Sequence, residues 1–151
     1  MKKKGKVFKN VAVIVVCLLL FFTVFEFWWS MPVTFLRRMN AQEIAYIEVR
    51  DGNNGRQFRV EEQDDIAHIV TNIQERRLFK DGISLGYMGT AFTLRFYNAK
   101  GKCVEELIVN YSNTIRKDPF FYRDNDSEIC FEYLCDLEAE LAGTWEESGE
   151  Q

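Results

Sequence analysis

Hydrophobic and polar positions divide this chain into two regimes. From Val11 to Trp29 the run is apolar with Glu26 as its one charge, whereas beyond residue 40 the apolar positions recur at intervals of two, or of three and four. The 19 residues of 11–29, at about 1.5 Å each, reach roughly 28 Å, the thickness of a bilayer's hydrocarbon core. The first regime therefore predicts a transmembrane helix, and the second a small domain of mixed strands and helices.

Within the second regime, "EIAYIEVRDGNNGRQFRVEE" reads as a hairpin around a Gly/Asn turn. Ala45, Ile47 and Val49 alternate with Tyr46, Glu48 and Arg50, and Phe58 and Val60 with Gln57 and Arg59, so one face is apolar and the other wet. Ile66, Ile69, Val70 and Ile73 then fall on one stripe and, with Asp64 and Asp65 leading, predict an amphipathic helix over 64–76. "DGISLGYMG" reads as a flexible turn. "AFTLRFYN", with Phe92, Leu94 and Phe96 against Thr93, Arg95 and Tyr97, forms a second hairpin with "CVEELIVNY" around "NAKGK". "NTIRKDPFFYR" gives one more short extended segment, with Pro119 marking an edge or a bend. The last periodic stretch is a helix with Ser127 as N-cap, Cys130, Leu134, Leu137 and Leu141 on its apolar stripe, and Gly143 as C-cap.

The expected fold class is α+β: one N-terminal transmembrane helix followed by a two-layer antiparallel sheet with two helices on one face. The expected segments are a basic cytoplasmic stretch over 1–10, the span over 11–29, a juxtamembrane connector over 30–40, the domain over 41–143 and a disordered acidic tail over 144–151.

Charge orients the span. Lys2, Lys3, Lys4, Lys6 and Lys9 precede it, while the far flank has only Arg37 and Arg38, which keeps the amino end inside. Trp28 and Trp29 fall where an aromatic belt is expected, and Glu26 is close enough to that surface to reach water. Trp28, Trp29, Ser30 and Met31 offer no small-residue cleavage site, so the segment reads as an uncleaved signal-anchor. Cys17 follows Val15 and Val16 rather than a small residue, which suits lipid-facing packing and not acylation. Residues 1–30 carry a net +4 and residues 31–151 a net −8. An acidic domain with no basic stripe is a poor match for nucleic acid.

Candidate chemistry is sparse. Cys103, Cys130 and Cys135 form no CxxC or Cys/His cluster, so no metal site is expected. Cys130 and Cys135 point to different faces of a helix, which leaves either buried cysteines or a single bond from Cys103 to Cys130. His68, the one histidine, falls on the outer side of its helix. No nucleophile has an evident base beside it, and Gly82, Gly86 and Gly89 lack a P-loop's Lys-Ser/Thr ending. No catalytic residue and no cofactor is expected.

The element order is similar to that of small folds related to the TATA-binding-protein and β-lactamase-inhibitor half-domains, a likeness that transfers no function. The lysine-headed anchor, "IAYIEVRDGNNGRQFRVEEQDDIAHIVTNI", "GTAFTLRFYNAKGK" and "NTIRKDPFFYR" together resemble the layout of small uncharacterised membrane-anchored proteins of Gram-positive bacteria. That resemblance implies an envelope location and carries no functional residue.

If the helices cover the apolar face, the opposite face presents Tyr46, Arg50, Arg59, Arg95 and Tyr97, the residue types that most often anchor interfaces. This is the candidate partner-binding platform, and "PFFYR" is the next aromatic cluster. The expected role is a non-catalytic binding or regulatory module of the envelope. The alternative is a small accessory subunit recognised through its span, for which the bulky Val, Leu and Phe residues are poorly suited.

Overall fold

The computed structural model describes the backbone of residues 2–145 and the side chains of residues 10–141. It forms two compact units, Met1–Met31 and Pro32–Gln151. The first is helix α1, Lys2–Ser30. Its stretch Asn10–Ser30 is long and apolar enough to cross a membrane.

The second unit is α+β. Its strands are β1 (Ile44–Asp51), β2 (Gln57–Val60), β3 (Phe79–Ile83), β4 (Phe92–Asn98), β5 (Cys103–Tyr111), β6 (Thr114–Lys117) and β7 (Phe120–Arg123). Its helices are α2 (Gln63–Gln74) and α3 (Phe131–Trp145). Among the described residues the strands form one seven-stranded sheet in the order β2-β1-β4-β5-β6-β7-β3, and every pairing is antiparallel. Ile47, Val49, Phe58, Val60, Phe92, Leu94, Phe96, Leu107, Val109 and Ile115 are buried on one face. Ile66, Ile69, Val70 and Ile73 of α2 and Leu134 and Leu137 of α3 belong to the same core.

Several elements depart from the sequence expectation. A register shift between Ile44 and Tyr46 inserts an extra residue into β1, so Ile44 rather than Ala45 enters the core. "FKDGI" is the edge strand β3, not part of a turn. Asp81 and Gly82 disfavour strands locally, and pairing with β7 overrides them. "NTIRKDPFFYR" is a hairpin, with Pro119 in the turn between β6 and β7. Ser127 is not an N-cap, because the Asp124 carboxylate accepts the backbone N–H groups of Asp126 and Ser127 at 2.9 and 3.1 Å, and the helix starts only at Phe131. Gly143 does not stop it, since α3 continues to Trp145. Of the expected acidic tail, residues 146–151 lie outside the described residues.

The stretch expected to be a free connector is built into the domain. Val33 and Leu78 exchange backbone hydrogen bonds of 2.7 and 3.1 Å, Phe35 packs edge-on against Tyr122 with centroids 4.9 Å apart, and Leu36 joins the core. Every cysteine is free. Cys130 is buried, which pushes its thiol up to about 12, whereas Cys103 is exposed.

Because Ile69 is fully buried while His68 is exposed and lies tilted at 40° against Tyr133 with centroids 4.2 Å apart, the two neighbours should respond differently. Ile69→Asp is expected to destabilise the domain by more than ~3 kcal/mol through an unpaired buried charge. His68→Ala is expected to cost under ~1 kcal/mol. Thermal melting of the two variants checks this, and equal small losses would mean that α2 is placed in the wrong rotational phase.

Candidate functional site

The face of the sheet opposite the helices is ordered in rows that the register dictates. Glu48 stands directly across from Arg59 on β2 and from Arg95 on β4, and Arg95 stands across from Glu106 on β5. Charges therefore alternate across four strands. Arg59 pairs with Glu48 at 3.2 Å and with Glu61 at 3.5 Å, and Arg95 donates through Nε to Glu106 at 2.8 Å. Cross-strand ion pairs of this kind contribute roughly 0.2–1 kcal/mol each. They also neutralise the two arginines.

One row along, Tyr46 and Tyr97 face each other and stack, with centroids 4.8 Å apart and rings 16° from parallel. The Arg59 guanidinium carbon lies 4.2 Å from the centre of the Tyr46 ring. Partial desolvation, together with the nearby Glu48 carboxylate, holds the Tyr97 phenol above its usual value. The structure thus brings Tyr46, Arg59 and Tyr97 together and ties Arg95 to the ladder. Arg50 stands apart, exposed, in the next row with Gln57 and Thr93. Among the described residues it makes no ion pair. Residue types alone identified the five side chains. Alternation already put Glu48 on this face; which arginines it meets, and Glu106 as the partner of Arg95, come from the strand register.

The face is open over β2, β1, β4 and β5 only. Over β6 and β7 it is covered by the crossover of residues 84–91, which carries the chain from β3 to β4. Arg116 holds this crossover. It is mostly buried, grips Asp118 through Nε at 2.8 Å and Nη2 at 3.1 Å, and donates to the Gly89 carbonyl at 3.3 Å. Ser84 donates its hydroxyl to the same carboxylate, and Tyr87 sits edge-on to Phe121, centroids 5.1 Å apart. The Arg116 and Ser84 bonds hold the Asp118 carboxyl at about 2. "DGISLGYMG" is therefore a pinned strap, and Phe121 of "PFFYR" lies under it.

A second polar contact joins the helices: Tyr133 donates its hydroxyl to Asp65 at 2.6 Å. That bond and burial push the Tyr133 phenol up to about 12. Among the described residues, no group of three or more His, Cys, Asp or Glu side chains is placed to hold a metal ion. No family model, curated protein or solved structure matches this chain, so the reading of function rests on the faces themselves.

The strap should loosen in acid. Asp118 has a folded-state value depressed from 3.8 to about 2, so its contribution is present above pH ~4 and lost as pH falls through ~2. Asp118→Asn is expected to remove the acid-sensitive increment of stability between those limits and to raise amide exchange across residues 84–90. Hydrogen exchange of wild type and variant over that range reads both effects, and identical profiles would show that the carboxylate does not hold the strap.

Proposed function

We propose that this chain is a single-span envelope protein whose basic amino end stays in the cytoplasm. Its α+β domain then stands outside as a non-catalytic binding or regulatory module that engages a partner protein through the open half of the sheet. The observation that supports this best is the Tyr46–Tyr97 stack beneath Arg59. Two rings and a guanidinium already held in one geometry offer contact area whose ordering cost is met before binding. Arg50 supplies an adjacent, unneutralised donor. The paired Arg59 and Arg95 make the face amphipathic rather than basic, which suits a protein surface better than a polyanion.

The lysine-rich head before an apolar helix supports the orientation. Protease added to intact protoplasts is expected to remove the outer domain and spare an amino-terminal tag. A mature chain beginning near Ser30, or acylation of Cys17, would refute the anchor.

For the binding role, full-length protein carrying Arg50→Ala, Arg95→Ala and Tyr97→Ala together should fold, because all three side chains lie on the face away from the core. It should bind its partner at least thirtyfold more weakly, corresponding to about 2 kcal/mol for the loss of central anchors. Glu62→Ala at the rim should cost a few tenths of a kcal/mol. Cross-linking in the native envelope, followed by affinity measurement on the captured protein, makes the comparison. If the triple variant binds as wild type does, while exchange of residues 11–29 for an unrelated span abolishes association, recognition lies in the span.

A further inference from the structure

The stretch between the span and the first strand does more than connect. Leu36 is a non-glycine residue with φ of 58°, a left-handed conformation uncommon for a branched aliphatic side chain. It opens a turn closed by the Met39 N–H donating to the Leu36 carbonyl at 2.7 Å. Gln74 of α2 clamps that turn: its amide nitrogen donates to the carbonyls of Leu36 and Met39, both at 2.7 Å. A strained backbone held by a side chain from another element is preorganised, and what it presents is the pair Arg37 and Arg38.

These two residues line a groove of about 490 Å³ that runs from the turn to the adjoining ends of β1, β4 and β5. That volume lies in the range of small-molecule sites, roughly 300–1,000 Å³. Its apolar lining comes from Leu36, Met39, Ile44 and Val104, of which Leu36 and Ile44 are buried in the core and Val104 is exposed. Arg37 and Arg38 are exposed, and among the described residues neither makes an ion pair. Of the two carboxylates that also line the groove, Glu105 is engaged by Lys117 at 2.7 Å, which leaves Glu43 against two guanidinium groups. Because Gln74 already occupies the Leu36 and Met39 carbonyls, the turn offers an extended peptide little main-chain pairing.

We propose that this groove binds a single-chain anionic amphiphile, its phosphate or carboxylate head on Arg37 and Arg38 and its acyl chain along Leu36, Met39, Ile44 and Val104. Guanidinium pairs match such heads by bidentate, charge-assisted hydrogen bonds, and the lining accepts a chain that needs no polar partner. The site shares no residue with the Tyr46–Tyr97 platform, so its failure would leave the reading of that face unchanged.

The test uses the full-length chain in phosphatidylcholine nanodiscs, with decyl phosphate titrated below its micellar concentration and protein-free discs subtracted. Saturable one-site binding of decyl phosphate is expected. Inorganic phosphate and decyl maltoside, which carry the head charge alone and the chain alone, should each bind at least tenfold more weakly. Arg37→Gln with Arg38→Gln should weaken decyl phosphate binding at least tenfold, Val104→Asp should do the same, and Arg50→Gln on the outer face should leave it unchanged, with melting curves confirming that each variant is folded. The proposal is overturned by non-saturable uptake, by inorganic phosphate or decyl maltoside matching decyl phosphate, or by wild-type affinity in the double-Gln variant.

Discussion

The outer face of this domain is governed by the path the chain must take from the edge strand β3 back to the central strand β4. Three strands, β7, β6 and β5, lie between them, a separation of about 19 Å at the usual strand spacing. Residues 84–91 would reach about 26–29 Å fully extended, so they cover that distance with slack, part of which is taken up by a turn in which the Tyr87 N–H donates to the Ser84 carbonyl at 3.0 Å. The core face is occupied by α2 and α3, so the crossover runs over the other face and covers it. Beyond that turn the strap has no regular secondary structure, so it relies on the sheet beneath it. Arg116 is the residue that holds it, with its charge satisfied by Asp118 and by the strap's own Gly89 carbonyl.

Everything exposed on that face follows from this. With β6 and β7 covered, the open area is the four-strand half where Glu48 and Glu106 neutralise Arg59 and Arg95. Arg59 and Arg95, being internally paired, add little long-range field to steer a charged ligand, and among the described residues Arg50 is left as an unpaired cation on this face. The stacked tyrosines add apolar contact area beside these ion pairs. The domain's net acidity therefore says little about this surface, whose character is set by register and not by composition.

The same distinction explains what the sequence could reveal. Alternation in β1, β2 and β4 and the Ile66–Ile73 stripe of α2 were legible because burial imposes a period on consecutive residues. Strand β3 was not, because Asp81 and Gly82 oppose it locally and only β7 makes it a strand. Ser127 read as a cap because the turn that Asp124 closes on Asp126 and Ser127 uses the same few residues, and their pattern alone does not rank the two. The five platform residues were readable by face and two of the pairings lie within predicted hairpins, but the contact between Glu48 and Arg95 and the Tyr46–Tyr97 stack were not, since they need the two hairpins to pair through β1 and β4. The connector looked like a linker because nothing in "PVTFLRRMN" announces that Gln74 binds it or that Leu78 pairs with it.

The two surfaces assigned roles here meet at an irregular corner of the sheet. Strict alternation back from Ile47 would turn Ala45 inward and Ile44 outward. The extra residue in β1 instead sends Ile44 into the core, where it lines the groove beside Leu36, and leaves Tyr46 outside to stack on Tyr97. A second register shift, between Phe96 and Tyr97, sets Tyr97 opposite Cys103 at the start of β5, next to Val104 and Glu105 of the groove. Bulges break the ladder's regular hydrogen bonding and persist where the side chains they re-aim are worth more than the bonds lost. At this corner the bulges turn Ile44 toward the groove and offset Cys103 from the regular β4–β5 ladder, while Tyr46 and Tyr97 meet through the regular register. A sheet without them would lack the Ile44 lining and would set Val104 rather than Cys103 across from Tyr97, but it would keep Tyr46 opposite Tyr97, because that pair belongs to the regular part of the β1–β4 ladder.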